Sequence, residues 1–415
     1  SWTGSSSYVY NKSSRQVTAT ITNKVGSDNI TLTYISSGTV IDNELNERTY
    51  ANSGINVNLY RAEIAGLGNS NYTLNGGTGV FFDWEITKAS ITNIFLKNVT
   101  VTYDAQVHPI TLSVSGYSDR SVSETSYATT TQFGDAITIS YTITPYGGSS
   151  SSGNSATNVH MYSGSSSYYI VNASVPASTN YNSLSVDANL TISQRTIQTV
   201  SVDGDKNVTY KGTEYSIDAS KSDYTDLGAG VGHTITLNQT INGITGNSAI
   251  NAGVYTVVTT ANVMNGQDIN TNYATLTVSS VLTINKAVAV NASDGTSIAY
   301  NSAQVTYNGY LRFLNVNNSS DGDENSVSSS AINLLTIKPQ GVSLTPEFLG
   351  DEVTLLYMYG LVFGNYGNVY NGVKDADTYY LELTIEDQNY ITQTLNATLT
   401  IDQKDLSDLD VDLYL

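Results

Sequence analysis

The chain has 415 residues, 40% of them hydrophobic, a formal net charge of −19 and no cysteine. That length exceeds a single core and suits three or four domains of about 100 residues each. The acidic balance repels a phosphate backbone and excludes nucleic acid as a partner; the missing thiols exclude disulfides and thiolate metal sites, and no apolar run of about 18 residues is present to insert into a membrane.

Thr, Val, Ile and Tyr alternate with Ser, Asn and Gly along the chain, which is the grammar of strands and turns. No segment carries a capped 3.6-residue period, so the fold class is all-β. The chain opens at Ser1 without an apolar leader, as a mature secreted, extracellular protein does once its signal peptide is removed.

Taken in order, the predicted elements repeat. The first, "SSSYVYNKSSRQVTATI" (5–21), matches "VTVTYDAQVHPITLSV" (99–114), with Tyr10 in the place of Tyr103. The stretch 82–114 has the layout of 188–219, and 280–309 follows it again: a strand, a basic residue, a second strand, a turn, then a tyrosine. From the basic residue to that tyrosine the count is 15 for Lys88 to Tyr103, 15 for Arg195 to Tyr210 and 14 for Lys286 to Tyr300. "HPITLSVSG" (108–116), "AITISYTIT" (136–144) and "ATLTVSSVLTI" (274–284) alternate with period two, as strands with one buried face do. Boundaries at the basic residues give β-domains at 1–88, 89–195, 196–286 and 287–403. Each closing strand should run directly into the next opening strand, giving an elongated, stiff rod. Polar loops are expected at 145–158 and 315–330.

The segments "ITKASI" and "KNVTVTYDAQVHPITLSVSG", with "INAGVYTVVTTA" and "TNYATLTVSSVLTINKA", resemble the tandem mostly-β (MBG-type) repeats of prokaryotic cell-surface adhesins and filament proteins. The resemblance covers about residues 80–310. It implies a surface-exposed stalk or filament without catalysis, built of tandem Ig-like β-sandwich or β-grasp-like domains.

Chemistry-bearing groups are sparse. His108, His160 and His233 are the only histidines, fall in three different domains and form no metal pair or Ser-His-Asp set. His108 sits where Tyr215 also fits, which favours a packing or turn role. No phosphate loop or nucleophile elbow is present, so no catalytic residue and no cofactor are expected. Asp203 and Asp205, and Asp321 and Asp323, imitate calcium-loop spacing, but Val208 and Ser326 stand where such a loop needs glycine, so solvated turns are the better reading.

Twelve Asn-x-Ser/Thr sequons are glycosylation candidates: Asn11, Asn29, Asn71, Asn98, Asn172, Asn189, Asn207, Asn238, Asn291, Asn317, Asn318 and Asn396. With 42 asparagines, about ten sequons arise by chance, so their number does not establish glycosylation. Thirty-one tyrosines against seven phenylalanines suit half-exposed strands, subunit contacts and sugar stacking. The aromatic stretch 353–372 reads as a core hairpin before it reads as a contact surface.

The chain closes on "DLSDLDVDLYL" (405–415), with Leu409, Val411, Leu413 and Leu415 on one face and Asp408, Asp410 and Asp412 on the other. Lys404 aligns with Lys88 and Lys286, so 404–415 is a surplus opening strand, while only nine residues precede Tyr10 and the first domain lacks one. Donating that strand to the next copy would build a head-to-tail homopolymer. The expected function is therefore a non-catalytic extracellular structural subunit of a cell-surface filament joined by donor-strand complementation, with itself as partner and glycans or other cells as further ones. The rival expectations are a stalk fragment of a large surface adhesin and an S-layer subunit.

Overall fold

The computed structural model describes residues 1–74, 80–222, 234–310, 312–314, 321–323, 334–361 and 373–405. No helix occurs among them, and none is therefore long and apolar enough to cross a membrane. The described residues divide into two compact units: one holds Ser1–Thr196 with Asn270–Ala274, the other the described residues from Ile197 onward apart from that loop. Each unit contains two of four large sheets.

The four sheets share one plan. A short strand pairs in parallel with the closing strand of the same repeat: Ser7–Val9 with Phe81–Thr87, Val99–Thr102 with Leu184–Ser193, Lys206–Thr209 with Leu276–Asn285, and Ala303–Thr306 with Gln393–Asp402. Antiparallel to each closing strand runs a long central strand: Asn58–Leu67, Ser165–Val175, Gly253–Asn265 and Thr378–Ile385. Alternation explains why these segments are strands. Along Thr378–Ile385, Tyr379, Leu381, Leu383 and Ile385 are buried while the residues between are half-exposed. Burying each such side chain is worth about 1.5–3 kcal/mol.

An opening strand supplies the second layer. Ile94–Lys97 pairs with Thr111–Val114, Val200–Val202 with Ala219–Lys221, and Ala289–Asn291 with Leu334–Pro339. In the first repeat this place is not empty, contrary to expectation. Trp2–Thr3 pairs there with Thr18–Ala19, over two residues where the second repeat uses four.

Three details of the sequence alignment change. The parallel strand of the fourth repeat ends at Thr306, so Tyr307, not Tyr300, matches Tyr10, Tyr103 and Tyr210. The residue two beyond each tyrosine has positive φ in all four repeats: Lys12 (65°), Ala105 (65°), Gly212 (75°) and Gly309 (87°). Tyr300 is instead a buried core residue. Arg195 is displaced by one: the residues that make the single bridge after each closing strand are Ala89, Arg195 and Ala287, so Gln194 matches Lys88 and Lys286. By the same count Gln403 takes the place of Lys88, and Lys404 that of Ala89. The junctions are also not continuous strands. The closing strands stop at Thr87, Ser193 and Asn285, and only one bridged residue precedes the next opening strand.

The polar stretch 145–158 is pinned rather than loose. Ser151–Ser152 ladders with Thr142 and Ile143, and Asn154 is 1% exposed, holding the Glu124 N–H and the Val122 carbonyl. Of 315–330, only 321–323 fall within the described residues. In the aromatic stretch 353–372, Val353 and Leu355 lie in the core, consistent with the hairpin reading, and 362–372 fall outside the described residues.

Candidate functional site

Parallel pairing of the first and last strands has a geometric consequence. Both strands of a pair end at the same pole, so the tyrosine after one and the bridging residue after the other emerge together. The backbone records this: the N–H groups of Tyr10, Tyr103, Tyr210 and Tyr307 donate to the carbonyls of Thr87, Ser193, Asn285 and Asp402, at 3.0, 2.9, 2.9 and 2.8 Å.

At the pole of the first repeat, Tyr10 meets Tyr181 of the second with ring centroids 5.4 Å apart at 79°. Both hydroxyls donate to Oδ2 of Asp135, at 2.9 and 2.7 Å, and the Lys12 ammonium lies 3.0 Å from Oδ1. Burial works against the Asp135 charge, but the hydrogen bonds from Tyr181, Lys12 and Tyr10 outweigh it and hold the carboxyl below its usual range. Burial first, and Asp135 beside it, raise both tyrosines. The second unit repeats the arrangement. Tyr210 and Tyr390 stand 5.6 Å apart at 78° and donate to Oδ2 of Asp351 at 2.9 and 2.5 Å. Tyr103 and Tyr273, both in the first unit, form a third edge-to-face pair, 5.6 Å apart at 75°.

An asparagine before the second tyrosine clamps each pair. Asn180, Asn272 and Asn389 accept with their carbonyls from the N–H groups of Ala89, Arg195 and Ala287, at 3.0, 3.0 and 2.9 Å. Their side chains accept with Oδ1 from the N–H groups of Val57, Val159 and Ala252, at 3.0, 2.7 and 2.8 Å. Their Nδ2 groups donate to Asn56, Asn158 and Asn251 at 3.2, 3.1 and 3.3 Å. Sequence reasoning passed over these residues. The signal was available: "NSNY" (69–72), "STNY" (178–181), "NTNY" (270–273) and "DQNY" (387–390) occur once per repeat.

The groups expected to carry chemistry are scattered. His108 meets Asp104 Oδ1 at 2.8 Å and His160 the Tyr146 carbonyl at 2.8 Å, while His233 lies outside the described residues. His108 and Tyr215 do hold one position, paired with Ala156 and Ala249. Asp203 Oδ2 takes Lys206 at 2.8 Å, and Asp205 Oδ1 accepts from Val281 N–H at 2.8 Å. Glu214, twelfth in the count from Asp203, bonds Ser248, so these oxygens serve separate partners. Among the described residues no cluster of three acidic, histidine or cysteine side chains could hold a metal. Side chains at Asp321 and Asp323 are not described. Leu409, Val411, Leu413 and Leu415 lie outside the described residues, as do Asn317 and Asn318. Asn291 is 5% exposed and donates to Thr296 Oγ1 at 2.9 Å, which leaves no room for a glycan, whereas Asn29, Asn71, Asn98, Asn189, Asn207, Asn238 and Asn396 are exposed and Asn11 and Asn172 half-exposed.

Beside the two-residue opening strand lies a groove of about 260 Å³. Trp2, Ile21, Leu32, Ile64, Leu67 and Tyr72 are among its walls. Along its edge Ser1 pairs with Thr20: the Ser1 ammonium donates to the Thr20 carbonyl and the Ser1 carbonyl accepts from Thr20 N–H, at 2.9 and 2.7 Å.

No protein-family model matches the chain, and no curated protein does. Solved structures similar to it include Sidekick-1 immunoglobulin domains 1–5, at 9% identity over 96% of this chain and 78% of that one, with a TM-score of 0.23. Protocadherin gamma B2 extracellular cadherin domains 3–6 match at 12% identity over 96% and 99%, with a TM-score of 0.21. Three N-terminal domains of the bacteriophage RB49 highly immunogenic outer capsid protein match at 10% over 75% and 99%, with a TM-score of 0.22. The assignment of tandem all-β domains rests on the sheets themselves.

Proposed function

We propose that the chain is a non-catalytic, extracellular structural subunit of a cell-surface filament, joined head to tail when residues 405–415 of one copy pair into the first repeat of the next. The groove beside Trp2 carries this reading. Apolar side chains of Trp2, Leu32, Ile64 and Leu67 share its wall with polar Thr20, Thr22 and Asn23, and the backbone pairing of Ser1 with Thr20 lies beside it. Leu409, Val411, Leu413 and Leu415 supply an alternating apolar face for such a slot, each worth about 1.5–3 kcal/mol if fully buried, while the intervening aspartates face water. A contact made by different surfaces of identical subunits does not close and propagates as a filament.

Deleting 405–415 should abolish polymers seen by electron microscopy while the circular dichroism of the subunit is kept, and the free peptide should cap growing ends. Polymers that persist in the deletion variant would overturn the reading. A wild-type chain that remains monomeric at every concentration would favour a stalk fragment instead.

A further inference from the structure

We propose that Asp28, Asn71 and Tyr72 of one copy close a fourth tyrosine joint on Tyr307 and Ala376 of a second copy. This rests on head-to-tail assembly but not on the donor strand. The first repeat carries the receiving half. Tyr72 donates to Asp28 Oδ2 at 2.7 Å, as Tyr181 does to Asp135 and Tyr390 to Asp351. The turn is the same as well: Asn71 N–H donates to Asn69 Oδ1 at 3.0 Å, as Asn272 does to Asn270 at 3.1 Å and Asn389 to Asp387 at 2.7 Å. In the closed joints the asparagine carbonyl and the N–H after the tyrosine grip a bridging residue. The matching Asn71 carbonyl and Thr73 N–H have no such residue among the described ones, and Asn71 and Thr73 are exposed.

The fourth repeat carries the inserting half. Tyr307 sits after the parallel strand as Tyr10 does, and its N–H is held by Asp402. Tyr379 donates to the Asp375 carbonyl at 2.9 Å, as Tyr60 does to Asn56 and Tyr255 to Asn251, so Asp375–Ala376 stands where Asn56–Val57 and Asn251–Ala252 meet their clamps. Ala376 is half-buried and its neighbour Asp375 exposed. Three closed examples within one chain show what covers each half: the other half. A second copy supplies it.

Position 309 offers a gain-of-function test. Lys12, two residues after Tyr10, pairs with Asp135, whereas the matching residue after Tyr307 is glycine. Lys12 itself has φ 65°, so lysine is tolerated in this turn. Sedimentation velocity of the full chain at low salt should show Tyr307→Phe and Asp28→Asn raising the concentration needed for assembly several-fold, and Gly309→Lys lowering it. The gain from Gly309→Lys should vanish in an Asp28→Asn background and in high salt. Unchanged assembly in both loss variants, or a gain from Gly309→Lys that persists without Asp28, overturns the joint. If the 405–415 deletion abolishes assembly while these variants assemble as wild type, the joint fails and the donor strand stands. The opposite pattern keeps the joint and removes the strand, and a chain that never associates removes both.

Discussion

Tyr10 and Tyr181 come from different repeats, yet they share one oxygen of Asp135, at 2.9 and 2.7 Å. Neither hydroxyl needs an ordered solvent partner, and the carboxylate gains two donors besides Lys12. Truncation at Asp135 should therefore do more than remove a surface charge. Asp135→Ala removes the acceptor of the Tyr10 hydroxyl and leaves Tyr181 only Thr131 Oγ1 at 2.8 Å, a cost of about 1–3 kcal/mol. Differential scanning calorimetry should show the transition of the first unit moving down, and Asp135→Asn, which keeps an acceptor, should recover part of the loss.

The same cluster fixes a pH dependence. The Asp135 carboxyl is held below its usual value near 3.8 in the folded state. A group depressed by folding stabilises above its unfolded pKa and loses that contribution as the pH falls through the folded one. The joint should therefore weaken only below about pH 4. Asp42 behaves likewise: burial opposes its charge, but the N–H groups of Asn46 and Glu44 and the Arg48 guanidinium hold it at about 2. Acid unfolding of Asp135→Asn should show a shallower slope between about pH 4 and 2 than the wild type; identical slopes would contradict the assignment.

At the alkaline end the sign reverses. Burial, then Asp351, raises Tyr210 and Tyr390, and burial raises Tyr181. A raised group contributes stability that is complete below the unfolded pKa near 10 and disappears as the pH climbs toward the folded one. Titration should be followed by phenolate absorbance and circular dichroism together. The joint tyrosines should ionise last, together with loss of the strand signal in circular dichroism.

The asparagine clamps should set how far neighbouring repeats melt as one. Asn389 satisfies the Ala252 N–H at 2.8 Å and is 9% exposed. Asn389→Ala orphans that buried donor, again about 1–3 kcal/mol, and should broaden or split the transition of the second unit. A uniform downward shift without broadening would mean that the clamp stabilises its own repeat alone.

Much of the fold could be read from the sequence because strand alternation is local. The Tyr10–Tyr103 match and the shared position of His108 and Tyr215 came from literal likeness over a few residues. The errors came from counting. Aligning by charge put Arg195 beside Lys88, although the bridge after the closing strand requires any backbone there and no particular side chain. Aligning by spacing chose Tyr300, although "VTY" recurs at 101–103, 208–210 and 305–307. The joint was harder to see because its members lie far apart in sequence, with Asp135 between the two tyrosines it serves. The pinning of 145–158 was hidden for a different reason: a Ser- and Gly-rich stretch reads as loose unless a buried asparagine such as Asn154 is recognised inside it. Proteolysis should therefore spare 145–158 in the wild type and cut it in Asn154→Ala.

Glycan placement gives the last prediction. In a source that modifies Asn-x-Ser/Thr, exposed Asn29, Asn98, Asn207 and Asn238 are open to attachment, while Asn291 is enclosed. Asn71 is the informative site. "Asn-Tyr-Thr" at 71–73 is a sequon, whereas the matching clamps read "Asn-Tyr-Asn", "Asn-Tyr-Ala" and "Asn-Tyr-Ile". The closed joints use this side chain's Oδ1 and Nδ2, so a sugar on Nδ2 would remove a donor and fill the space a second copy must occupy. Glycopeptide mass spectrometry of assembled material should find Asn71 bare and Asn291 bare, with Asn98 or Asn207 occupied in the same sample. Full occupancy of Asn71 in intact filaments would show that the first repeat is joined some other way.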